Sequence, residues 1–162
     1  MFTGDRSGDV LYAGLYRRGF ASQSTSLHIG DGLELTGIRI TAPVHCAPPA
    51  NKPTTDELRT CAPYLDREME LLAPNLRVVL TLGAIGWRAL LLALEGAGWH
   101  LPRPRPRFGH GAEVELAHPN GRRLTVLGCY HVSQQNTFTG RLTPAMLDAV
   151  LERARALAGG AR

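Results

Sequence analysis

The chain has 162 residues, 44% hydrophobic and 20% charged, enough to bury a core as a single soluble domain. No apolar run approaches the roughly 20 residues needed to cross a bilayer, and no stretch has the pattern of a signal peptide, which places the chain in the cytoplasm by default. A net charge of +4 and an isoelectric point of about 9.3 favour a polyanionic partner.

In chain order, Asp5 or Ser7 can cap a helix from about Gly8 to Arg18, with Val10, Leu11 and Leu15 on one face. The stretch LELTGIRITAPVHC reads as extended chain and runs into a proline-rich loop, APPANKP. Thr54 and Glu57 form a capping box for the next helix, and Pro63 is expected to break it, which puts Cys61 at the break. Arg77 to Gly83 is a short buried strand. It feeds an apolar helix through Trp87, Leu90, Leu91 and Leu94 that Gly96 and Gly98 stop. The alternating prolines of LPRPRPRFGHG leave an extended, exposed connector carrying Arg103, Arg105 and Arg107. Asn120-Gly121 marks a hairpin between AEVEL and RRLTVLG, and Thr143-Pro144 opens a last helix to about Leu157. Strands alternating with helices imply an α/β fold, three-layer α/β/α, with a mostly parallel central sheet and an antiparallel hairpin.

Beyond the strand at Leu124–Leu127 comes YHVSQQNTFTGRLT. His131, Ser133, Gln134, Gln135 and Asn136 are costly to bury unpaired, so this cluster is expected to be exposed. In α/β sheets the ligand crevice lies beyond the carboxyl ends of the strands, and His131 falls there. Cys129 beside His131 could suggest a nucleophile and base, although no orienting carboxylate lies near in sequence. Cys46 and Cys61 are too far apart for a zinc knuckle. An odd cysteine count in a reducing compartment leaves them as metal ligands or as buried structural thiols. Asp5 is at minimum a helix cap. Lys52 is the only lysine; the arginine bias suits phosphate contact and equally suits codon usage in a GC-rich genome.

Three blocks, MFTGDRSGDVLYAGLYRRGF, CAPPANKPTTDELRTCAPYL and YHVSQQNTFTGRLTPAMLDAVL, closely resemble the family 5 (type b) uracil-DNA glycosylases, in the same order along nearly the whole chain. The resemblance implies a DNA base-excision repair enzyme, likewise monomeric, that hydrolyses the N-glycosidic bond of uracil and of other deaminated bases. By resemblance, His131 donates a hydrogen bond to uracil O2 and Asp5 positions or activates water. Phe2 stacks on the extruded base and Asn51 helps to build its pocket. Ser133, Gln134, Gln135 and Asn136 enter the minor groove. Cys46 and Cys61 resemble the second half of a four-cysteine site for a 4Fe–4S cluster. In the family, the segment before MFTGDRSG carries a glycine-rich first motif and two further cluster cysteines, so the chain is expected to be an N-terminally truncated single domain. The competing readings are a catalytically incompetent DNA-binding fragment of such an enzyme and an α/β protein whose cysteines serve only its core.

Overall fold

The computed structural model describes residues 4–46, 48 and 52–159, and within them the chain is α/β. It divides into two compact units, Met1–Ile40 with Cys129–Arg162, and Thr41–Gly128.

In the first unit, helix α1 (Arg6–Arg17) starts where Asp5 caps it, and buries Leu11, Tyr12, Gly14 and Leu15. Those residues pack on the C-terminal helix, which we number α5 (Pro144–Gly159) and which buries Leu147, Val150 and Leu151. The contact is close at Gly14, where a Cβ would lie 2.9 Å from a methyl of Leu147 and 3.2 Å from one of Leu151. Both leucines are almost completely buried. Thr143 caps α5 as expected, its hydroxyl accepting from the Met146 amide at 3.2 Å. The stretch expected to be extended between the two units forms one bridge, Ala21 to Leu35, and no strand. Its first amides do find acceptors, Glu34 on the Ser22 hydroxyl at 2.9 Å and Thr36 on the Phe20 carbonyl at 3.0 Å, but no neighbouring strand among the described residues extends that pairing into a ladder.

The second unit holds α2 (Thr55–Leu72), β1 (Val78–Leu82), α3 (Gly83–Gly96), β2 (Glu113–Ala117) and the bulk of β3 (Arg123–Cys129). The capping box at Thr54 and Glu57 is present. The break expected at Pro63 is not: α2 runs straight through it, so Cys61 lies inside a helix. The proline withdraws one amide from the Arg59 carbonyl, but both residues are exposed, so water can satisfy that oxygen while Leu65 and Met69 hold the buried face.

The sheet has the order β1-β3-β2. The hairpin partner β2 is antiparallel to β3, with Val114 opposite Val126 and Ala117 opposite Arg123. On the other side, the Thr125 amide donates to the Arg77 carbonyl and the Thr81 hydroxyl to the Leu127 carbonyl. Partners thus advance together, and β1 is parallel to β3. One parallel and one antiparallel junction make a mixed three-stranded sheet, narrower than the mostly parallel one expected. Asn120-Gly121 does form the turn, with Gly121 at φ +86°.

The proline-rich connector is less free than its composition suggests. The Trp87 indole donates to the Pro106 carbonyl at 3.1 Å, and Phe108 meets the Trp87 ring edge-on, with centroids 6.1 Å apart. Arg105 is paired with Glu95. The segment then crosses β3 at Gly128, whose carbonyl accepts from the Gly111 amide at 2.7 Å and whose amide donates to Ala112 at 2.8 Å. A Cβ at Gly128 would lie 2.4 Å from the Gly109 carbonyl oxygen. Because that obstacle is backbone, Gly128→Ala should destabilise the protein by at least about 2 kcal/mol. A thermal melt within a degree of the parent's would show that the crossing is not as tight as this.

Candidate active site

Two titratable side chains from opposite ends of the sequence mark the candidate site. Asp5 sits at the start of α1, exposed, with one carboxylate oxygen accepting from the Gly8 amide at 2.6 Å. The residue before it is fixed as well, since the Gly4 amide donates to the Ser26 carbonyl at 2.8 Å. The cap reading of Asp5 therefore holds, and it leaves the second carboxylate oxygen available for other work.

His131 follows β3 by two residues and is half-buried. Its position is set from both sides. Val132 is completely buried next to it. The Asn136 side-chain amide donates to the His131 carbonyl at 2.9 Å. Burial lowers the imidazole's pKa below its ordinary value, while the Asp5 charge pulls it back upward. Desolvation wins, so the ring is neutral at neutral pH, with one N–H to donate. The Asp5 charge is nevertheless close enough to be felt at the ring, and the fold has brought the two together.

The polar cluster is not the uniformly exposed loop expected from sequence. Residues Gln134–Phe138 form a short helix, α4, behind Ser133 at its N-cap position. The Ser133 carbonyl accepts from the Asn136 and Thr137 amides at 3.0 Å each. Gln134 and Gln135 are exposed. Ser133 and Asn136 are half-buried, and Asn136 is turned inward to hold the histidine loop. The amide served the loop's own hydrogen bonds before any ligand's.

Among the thiols, Cys129 is completely buried and its pKa is pushed up to about 12 by burial, which ends its candidacy as a nucleophile. Cys46 is exposed and Cys61 half-buried in α2. The loop and helix bearing them lie side by side: the His45 ring is 5.6 Å from that of Tyr64, one turn on from Cys61. Among the described residues no group of three or more His, Cys, Asp or Glu is placed to hold a metal ion. Phe2 and Asn51 lie outside the described residues. A cavity of about 230 Å³ in the second unit, walled by Met69, Leu94, Trp99 and Arg122, includes none of the expected site residues. No described helix is long and apolar enough to cross a membrane.

The model of the uracil DNA glycosylase superfamily matches residues 1–155. The chain belongs to this superfamily. It is 50% identical over 159 residues to a type-5 uracil-DNA glycosylase of Mycobacterium bovis, across 98% of this chain and 56% of that protein. To the type-5 protein of Thermus thermophilus it is 49% identical over 158 residues, across 98% of this chain and 67% of that one. A type-4 uracil-DNA glycosylase of Sulfurisphaera tokodaii matches over 53 residues only, at 43% identity. Identity along nearly the whole chain places it with the type-5 proteins, and it spans little more than half the length of the mycobacterial one.

The capping bond of Asp5 can be separated from its charge. Asp5→Asn keeps a good N-cap while removing the charge, whereas Asp5→Ala loses both. Asp5→Ala should cost about 1 kcal/mol of stability and Asp5→Asn a few tenths at most, read by denaturant unfolding. Equal losses would mean that the carboxylate is not held by its cap alone. For the thiols, alkylation of the native chain at pH 8 should modify Cys46 and Cys61 and spare Cys129, which reacts only after unfolding. Peptide mapping that finds Cys129 modified at the rate of the other two would contradict its burial.

Proposed function

We propose that the chain carries the catalytic residues of a DNA-repair glycosylase that hydrolyses the N-glycosidic bond of uracil, and of other deaminated bases, with its two units parts of one domain. The observation that carries this reading is the neutral, partly desolvated His131 held near the Asp5 carboxylate. Breaking the bond leaves positive charge on the sugar and negative charge on the departing uracil. A neutral imidazole N–H aimed at uracil O2 stabilises the developing anion, and because it is held in place beforehand it needs no reorganisation at the moment of reaction. The Asp5 carboxylate favours the cationic sugar and positions the water that adds to it. The base must first leave the stack. Phe2 stacking on it, Asn51 at its pocket, and Ser133, Gln134, Gln135 and Asn136 at the minor groove are parts of the same proposal; of these last four, exposure favours Gln134 and Gln135 for direct contact with DNA.

The cofactor belongs here too. A 4Fe–4S cluster normally takes about four thiolates, and this chain offers two, Cys46 and Cys61, on adjoining segments and accessible to a ligand. The donor set fits half of such a site. A cluster bound there would brace the loop against α2, and no step of the reaction runs through it.

The test is single-turnover excision of uracil from a labelled duplex, with the binding of the same duplex measured alongside. His131→Ala should slow excision by about 100- to 1,000-fold and leave affinity within about twofold, because the charge it meets exists only in the transition state. DNA binding with no excision by the parent chain would instead favour the catalytically incompetent fragment. Collapse of binding with normal chemistry would make His131 a docking residue.

A further inference from the structure

Phe138 is an unusual residue to find beside a polar helix. It ends α4 and is 67% exposed, although nothing in its polar neighbourhood requires an aromatic. In the same unit two arginines are engaged with rings, one of them with this one. The Arg6 guanidinium lies 5.5 Å from the centre of the Phe138 ring, and that of Arg141 lies 4.7 Å from the centre of Tyr130. Tyr130 is the immediate neighbour of His131. Both arginines are themselves exposed, so ring and cations together form a wet surface rather than part of a core.

Two alternatives are weaker on energetic grounds. An exposed cation–π contact contributes only about 0.5–1 kcal/mol, too little to explain leaving a phenyl ring in water for stability's sake. A protein-docking patch would be expected to surround the ring with apolar neighbours. Along the chain its neighbours are the exposed Gln134, Gln135 and Thr139, and its ring meets the Arg6 guanidinium. Aromatic faces interleaved with guanidinium groups are the chemistry of a nucleic-acid strand: the ring offers a stacking face to any base, and the cations meet the flanking phosphates.

We propose that Phe138 is a stacking platform for DNA and that Arg6 and Arg141 are the phosphate contacts that seat it. The inference rests on the proposed glycosylase reading, which puts His131 at the extruded nucleotide. The ring then lies against a base or sugar next to the gap, compensating part of the stacking lost when the uracil leaves. Each arginine fork has donors enough to reach phosphate while its plane stays on an aromatic ring.

Direct binding measurements decide the matter, with a duplex carrying one uracil and with its thymine counterpart, over a series of salt concentrations. Phe138→Ala should weaken binding by about 5- to 150-fold, the range of one base–aromatic stack. Phe138→Trp should restore it, and Phe138→Leu should not, because stacking needs a π-face rather than apolar area alone. At saturating enzyme, the single-turnover excision rate of Phe138→Ala should fall by less than its affinity does, the opposite of the His131→Ala pattern. Arg6→Gln and Arg141→Gln should each reduce the slope of log affinity against log salt by about one. The ring is mostly exposed, so circular dichroism melts of all the variants should match the parent's. If Phe138→Ala, still folded, bound both duplexes as the parent does, or if the parent bound neither, the proposal would be overturned. Absence of excision with binding still dependent on Phe138 would instead sink the glycosylase reading and leave this one standing.

Discussion

The packing of α1 on α5 is the contact on which the site depends, because it joins the two ends of the chain. Asp5 enters on α1, and His131 belongs to the segment that leads into α5. Two interactions hold the helices, and their magnitudes differ. Arg17 makes three hydrogen bonds to the Asp148 carboxylate, at 2.8 to 3.2 Å, and Arg18 adds a contact at 3.5 Å. The pairing pushes the Arg17 pKa up and the Asp148 pKa down. Yet the Arg17 side chain remains 42% exposed, and pairs open to solvent typically contribute about 1 kcal/mol or less. Burial of Leu11, Leu15, Leu147 and Leu151 contributes about 1.5–3 kcal/mol each. The leucines therefore supply the energy. The Arg17–Asp148 pair fixes the register and orientation of the helices, and Gly14 permits their close approach.

The environment of His131 balances two opposing demands. A ring buried among apolar groups loses its proton, and a ring beside a carboxylate tends to keep it. Here the Val132 anchor and the loop draw the imidazole inward, while Asp5, exposed at a helix start, remains near enough to oppose the shift. The outcome is a neutral donor close to a fixed negative charge. The Asn136 bond to the His131 carbonyl belongs to the same arrangement: a ring on a short loop keeps its orientation only if the backbone beneath it is tied down.

In the second unit a single aromatic organises much of the chain that lacks regular structure. Trp87 is buried on α3, receives the edge of Phe108, and donates its indole N–H to Pro106. The proline-rich segment is thus fastened at two points before it crosses Gly128. An alternating Pro-Arg sequence cannot make a ladder of its own, so its order comes from what it leans on.

The legible features were those whose cause is local. Asp5, Thr54 and Thr143 announced helix starts through capping chemistry, Asn120-Gly121 announced the hairpin, and a polar cluster directly after an apolar strand marked a candidate site. The α/β class followed from the alternation of elements. Local rules failed where distant residues intervened. Pro63 reads as a helix breaker, but whether a lost amide matters depends on whether the orphaned carbonyl faces water, which the sequence does not state. The LELTGIRITAPVHC stretch has strand composition, but a strand exists only if another lies beside it. Sequence alone also held no sign that the Asn136 amide donates to the His131 carbonyl, a bond that the loop's own geometry creates. A lone aromatic such as Phe138 is most often core, and only the tertiary structure leaves it exposed beneath Arg6. Residue types and spacing determined which chemistry was on offer. The juxtaposition of Asp5 with His131, and the desolvation that keeps the imidazole neutral, arise from helix packing between segments far apart in the chain, and only the tertiary structure could decide them.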